Sequence, residues 1–148
     1  MEHATRILTG AQVVNFVPQL FHFDHLKKKH DFSKLLTDEN VIVLVEEGQE
    51  RVGEFILQIR QTQGTFTASL NWMSIHARSD QEMIHTFQQA FYAMSRSLDG
   101  LQIPIRVISL AEIGEKFYQQ FAGLLTSYGY VPDVEYTTIF VCTKMQYM

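Results

Sequence analysis

Thr65-Phe66-Thr67-Ala68-Ser69-Leu70-Asn71-Trp72-Met73-Ser74-Ile75 is the stretch whose reading decides the fold. Its apolar phase is even at Phe66, Ala68 and Leu70, then odd at Met73 and Ile75. Strand side chains alternate between faces, so one residue inserted into one strand of a pair moves every later side chain to the opposite face. The change of phase predicts a strand with a β-bulge near Asn71 and Trp72; Trp72 itself fits either phase.

Upstream, Val41-Ile42-Val43-Leu44-Val45 is a β-branched run, and Val52 to Arg60 alternates with Phe55, Leu57 and Ile59 on one face. Glu46 to Arg51 between them is polar with one glycine, which predicts an antiparallel hairpin, and Gln61 to Gly64 turns the chain into the bulged strand. Arg6-Ile7-Leu8 before Thr9-Gly10 reads as a first short strand. From Ala11 to Leu36 the apolar spacing is mixed and predicts two short helices. Pro18 starts or kinks one of them, because it lacks an N–H and its ring clashes inside a helix.

Downstream, Ile84, Phe87, Phe91, Met94 and Leu98 stand three and four apart, so Gln81 to Leu98 is an amphipathic helix, ended by Asp99-Gly100. Ile103 to Leu110 is apolar in both phases, as in a strand covered on both sides. Strand, helix and buried strand together predict a right-handed parallel crossover. Ile113, Phe117, Phe121, Leu124 and Tyr128 mark a last helix, with Gly129 at its left-handed C-terminal position, and Tyr136 to Lys144 reads as a final strand. The whole predicts an α/β (α+β) fold: a single domain over residues 1–148, with a mixed sheet of six to seven strands and about four helices on both faces.

The size agrees, since 148 residues suit one hydrophobic core. Twelve basic against sixteen acidic side chains leave a formal net charge of −4, which argues against nucleic acid or an anionic membrane as a partner. One cysteine, Cys142, rules out an internal disulfide and multi-cysteine zinc ribbons. With no leader and no apolar run long enough for a bilayer, a cytoplasmic protein is expected. His22, Asp24, His25 and His30 are the densest set of metal-ligating types, but no HExxH or cysteine pair accompanies them and no metal is expected. Lys27-Lys28-Lys29 reads as a solvated basic run.

The order of elements, with a bulged fourth strand feeding a helix, resembles the GNAT N-acetyltransferase superfamily. Val52-Gly53-Glu54-Phe55 looks like its third strand and Met73-Ser74-Ile75-His76-Ala77-Arg78 like the end of its fourth. Leu124 to Tyr130, with Tyr128-Gly129-Tyr130, is similar to its helix end. The resemblance implies that acetyl-CoA is the co-substrate, its pantetheine arm lying between parted strands four and five along Met73, Ser74 and Ile75. The loop Arg78-Ser79-Asp80-Gln81-Glu82-Met83 would then take the pyrophosphate at a helix N-terminus, where N–H donors are unpaired. Arg78 matches the family's motif, whereas Gln81 and Met83 replace its glycines, and Asp80 and Glu82 set two carboxylates beside the anion. Ser79 and Glu82 also spell a capping box.

For catalysis the resemblance points to Tyr118 as the acid for the leaving thiolate, although counting from the other end of the helix reaches Leu125. Asn71 stands near the family's usual carboxylate and cannot act as a base. His76 and Glu54 are the remaining bases, beside the plain reading of an exposed strand-end histidine and a solvated glutamate. The implied activity is transfer of an acetyl group from acetyl-CoA to an amine on a small molecule or a protein. The alternative is a catalytically inactive binding or regulatory protein on the same scaffold. The acceptor and the oligomeric state, a homodimer included, stay open.

Overall fold

Alternation, and its interruption within the fourth strand, shape the sheet. In the computed structural model, which describes residues 3–21, 23–24, 39–110, 113, 115–135 and 138–142, β1 (His3–Thr9), β2 (Asn40–Glu47), β3 (Glu50–Thr62) and β4 (Thr65–Ile75) form an antiparallel meander. Gln63 and Gly64 both adopt positive φ, 54° and 81°, at the β3–β4 turn, the geometry that matches the twist of a tight hairpin. Within β4, Leu70 faces Leu57 and Trp72 faces Ile56, so Asn71 is the extra residue. The predicted bulge is therefore present, and it carries Met73 onto the face already occupied by Leu70.

The helix α2 (Met83–Asp99) returns the chain to β5 (Ile105–Ser109), which pairs parallel to β4. Then follow α3 (Glu115–Ser127), β6 (Tyr130–Pro132) and β7 (Ile139–Cys142). The seven strands lie in the order β1-β2-β3-β4-β5-β7-β6. β6 is absent from the sequence-based order, because Tyr130-Val131-Pro132 is too short to show an alternation. The strand expected at Tyr136 to Lys144 is found as β7, and Tyr136 and Lys144 lie outside the described residues.

Two cores flank the sheet. On one face Val43, Val45, Phe55, Leu57, Leu70 and Met73 pack with Phe87, Phe91 and Met94 of α2 and Phe121 and Leu125 of α3. On the other, Ile42, Leu44, Ile56 and Trp72 pack with Val13 of α1 (Ala11–Phe16) and with Val17 and Leu20. Val41 to Val45 is apolar in both phases because this strand is covered on both sides. Pro18 stands in the first turn of a 3-10 segment, Val17–Gln19, that follows α1, where its missing N–H costs nothing. The second of the two expected helices falls mostly on residues 25–36, outside the described residues.

Gly53 lets α2 approach: a Cβ there would stand 2.9 Å from Cβ of Ala90. Gly129 has φ 97° and ends α3 as expected, its N–H donating to the Thr126 carbonyl. Among the described residues no helix is long and apolar enough to cross a membrane.

Candidate functional site

The bulge sits where β4 loses its parallel neighbour. The β4–β5 ladder consists of Ala68 with Ile105, Ser69 with Val107 and Leu70 with Ile108. From Asn71 to Ile75, β4 is paired with β3 alone, and no described strand continues on its other side. The His76 N–H donates to the Val52 carbonyl at 2.9 Å, toward β3. Along a strand the N–H and C=O of successive residues point to alternate edges. The N–H groups of Met73 and Ile75 are thus turned to the edge where β5 no longer pairs. An unpaired strand edge at the centre of a sheet is a row of backbone donors and acceptors in want of a ligand.

Glu54 and Ser74 are cross-strand partners beside this edge, and both are buried. The Glu54 side chain is fully enclosed. Burial pushes its carboxyl up from an ordinary value of 4.5 to about 7, against the opposing effects of the Arg51 guanidinium and a hydrogen bond from the Phe21 backbone N–H. That N–H lies 2.8 Å from Oε1, and Arg51 Nη1 lies 3.2 Å from Oε2. The reading of Glu54 as a solvated strand residue is therefore wrong. Alternation put it opposite the Phe55 face, and the segment ending at Phe21 covers that side.

Phe21 also organises its neighbours. Its ring stacks on His76 with centroids 5.0 Å apart, and the Arg51 guanidinium lies 4.6 Å from its centroid and 5.0 Å from that of Phe16. Arg51 Nη2 donates to the Gln19 carbonyl. His76 is solvent-exposed, as expected, but its ring is held by this stack. Beside it opens a cavity of about 580 Å³, bordered by Phe21, Glu47, Glu50, His76, Arg78 and Glu82 among others. Arg51 and Phe21 escaped the reading of the sequence. Their contacts with Glu54 cross from one element to another, and no periodicity marks such a pair.

At the start of α2 the capping box does not form. The Glu82 N–H donates to the backbone carbonyl of Ser79, not to its hydroxyl, because Asp80–Glu82 begins as a 3-10 turn. Ser79, Asp80, Gln81 and Glu82 are exposed and Met83 is half-buried. Arg78 Nη2 lies 3.6 Å from Glu50 Oε2. Asp80 is ion-paired with Lys116 in the first turn of α3, so the loop and that helix meet at this end of the sheet.

Tyr118 is half-buried on α3, its ring centroid 6.5 Å from that of Phe140 in β7. It stands over the β5–β7 half of the sheet, whereas Glu54 and His76 stand on the β3–β4 half. The open edge of β4 belongs to the boundary between the two halves. Leu125, the other end of the count, is fully buried. Among the described residues no group of three or more metal-ligating side chains gathers. His22, His25, His30 and Lys27 to Lys29 lie outside the described residues.

Several solved structures share this architecture. An aminoglycoside acetyltransferase from an uncultured soil metagenomic sample, solved in complex with sisomicin, superposes with a TM-score of 0.59 at 11% identity, over 89% of this chain and 92% of its own. A probable acetyltransferase from Staphylococcus epidermidis gives a TM-score of 0.54 at 12% identity over 86% and 83%. An integron cassette protein from the mobile metagenome of V. cholerae gives 0.53 at 9% over 91% and 89%. No family model matches the chain, and no curated protein matches its sequence. Likeness at these identities establishes the fold.

Proposed function

With the GNAT acetyltransferase fold as the premise, we propose that this protein is an acyl-CoA-dependent N-acyltransferase that moves an acetyl group from acetyl-CoA to an amine. The observation that supports it most is the edge of β4 from Asn71 to Ile75, which on the side away from β3 has no partner strand among the described residues beyond the Leu70–Ile108 pair. A pantetheine arm carries amide groups and can complete that edge as a strand would. The Met73 and Ile75 N–H groups then face the thioester, and the one nearest its carbonyl receives the negative charge that develops on oxygen.

The amine nitrogen attacks the carbonyl carbon, the C–S bond breaks, and the products are an amide and free CoA. Glu54 or His76 takes the proton lost by the nitrogen, and Tyr118 returns one to the departing thiolate. A carboxyl with a pKa of about 7 is suited to the first role, being part-ionised at neutral pH and basic enough to hold a proton. Positioning supplies much of the rate, because a neutral amine is already a good nucleophile. The cavity beside His76 is our choice for the acceptor. Sisomicin in the soil acetyltransferase supports a small-molecule amine in that role.

One observation favours a second reading, a binding protein without turnover: Asp80 and Glu82 stand in the turn where the pyrophosphate would sit. A thermal melt with and without millimolar acetyl-CoA separates the two. Ligand at 100 times its dissociation constant stabilises the native state by about 2.7 kcal/mol, a rise of several degrees. No shift with acetyl-CoA or longer acyl-CoAs would remove the transferase.

A further inference from the structure

β1 ends the sheet on one side and, among the described residues, pairs with β2 alone. Two contacts show which of its backbone groups are free. The Ile59 N–H donates to the Glu39 carbonyl, so Glu39, Val41, Val43 and Val45 turn their hydrogen-bonding groups toward β3. Ile42, Leu44 and Glu46 turn theirs toward β1, where they meet Leu8, Arg6 and Ala4. The N–H and C=O groups of His3, Thr5, Ile7 and Thr9 are left pointing outward. Thr9 gives the same answer independently: its N–H donates to Gln12 Oε1 at 3.2 Å, off the ladder. That bond occupies one end of the edge, so the open groups belong to His3, Thr5 and Ile7 and are centred on Thr5.

The end of a sheet is a template for another strand, and proteins blunt it with proline, a bulge or a very short strand. The far end of this sheet is blunted in that way, since β6 has three residues and finishes at Pro132. β1 has none of these devices. It runs for seven residues without proline or glycine, and its register with β2 has no shift. We infer that β1 is a dimer interface, where a second copy of this chain adds its own β1 antiparallel about a two-fold axis at Thr5. Thr5 then faces Thr5 of the copy, and His3 faces Ile7 on both sides of the axis. Each such pair makes two backbone hydrogen bonds, about six in all. The side chains agree with this register: Arg6 falls opposite Ala4, and Thr opposite Thr is a favourable pair. A copy displaced one way would set Arg6 against Arg6, and displaced the other way it would keep only two of the three pairs. The contact uses up β1 on both copies, and with β6 blunted the assembly closes at two. β1 is three strands from β4, about 14 Å at the usual strand spacing, so the interface does not rest on the transferase reading.

Sedimentation of the full chain over a concentration series tests this. The wild type should reach a dimer and go no further. Its Thr5 and Ile7 amides should gain protection from hydrogen exchange as concentration rises, while those of Arg6 and Leu8 are protected throughout. Thr5→Lys, at an exposed position, sets like charges across the axis and should weaken dimerisation about fivefold or more. Mixing it with Thr5→Glu should restore the dimer. Thr5→Pro removes an outward N–H, costs no bond to β2 and should give a folded monomer. A wild type that stays monomeric at every concentration, growth beyond a dimer, or full dimer affinity in Thr5→Lys would each overturn the interface.

Discussion

The backbone N–H of Phe21 donates to Oε1 of Glu54 at 2.8 Å, across thirty-three positions of sequence. It joins the only described side-chain carboxylate that is fully buried to the segment that covers it. The bond and the Arg51 ion pair stabilise the ionised form, yet burial wins and the carboxyl is pushed up to about 7.

That difference has a sign. The unfolded chain loses this proton near pH 4.5, and the folded one keeps it to about 7. Between those values the native state binds the extra proton, so stability falls as pH rises through the window and the loss is complete above it. Glu54→Gln keeps an acceptor for the Phe21 N–H and removes the charge. Its melting temperature should exceed that of the wild type at pH 8, by up to about 3 kcal/mol in stability, and approach it at pH 5. If Glu54 is the base, turnover of the wild type rises through pH 7 and the variant loses that rise. An unchanged pH–rate profile would assign the proton to another group.

Deleting Asn71 tests the open edge. Leu70 would then precede Trp72 directly, opposite Leu57 and Ile56, and the β3–β4 ladder would become regular with every core side chain still on its own face. The bend introduced by a bulge would be lost, and β4 could continue its pairing with β5. The variant should fold and give no thermal shift with acetyl-CoA. A full shift in a folded variant would mean that the bulge does not make the site.

Charge at the start of α2 should set cofactor affinity. Each carboxylate near a pyrophosphate opposes it by about 1 kcal/mol at close range in water. Asp80→Asn and Glu82→Gln should each tighten acetyl-CoA about fivefold by calorimetry, and Asp80→Asn also frees Lys116. Arg78→Glu should abolish binding. Unaltered affinity in all three would move the pyrophosphate elsewhere.

The two ends of the α3 count predict opposite behaviour. Tyr118→Phe keeps the half-buried ring and should cut turnover per folded molecule up to about a hundredfold. Leu125→Ala empties a fully buried site and should cost about 2–5 kcal/mol of stability, with turnover per folded molecule preserved. Equal turnover in Tyr118→Phe and wild type would take Tyr118 out of the chemistry.

Much of the fold was legible because it is written in short periods. The phase change from Leu70 to Met73 located the bulge, the alternation from Val52 to Arg60 located β3, and the three-and-four spacing from Ile84 to Leu98 located α2. β6 was missed because three residues cannot display a period. The capping box at Ser79 was misread because motif spacing assumes an α-helical first turn, and this helix starts as a 3-10 turn.

By itself, then, the sequence determined which residues alternate, where that alternation slips, and which stripe of each helix is apolar, since these depend on neighbours within a few positions. Only the tertiary structure decided that Glu54 is enclosed and has a pKa far above a surface carboxylate, that Arg51 lies between Phe16 and Phe21, and that Asp80 meets Lys116. Those outcomes depend on dielectric surroundings and on contacts between segments distant along the chain, and a list of residues carries neither.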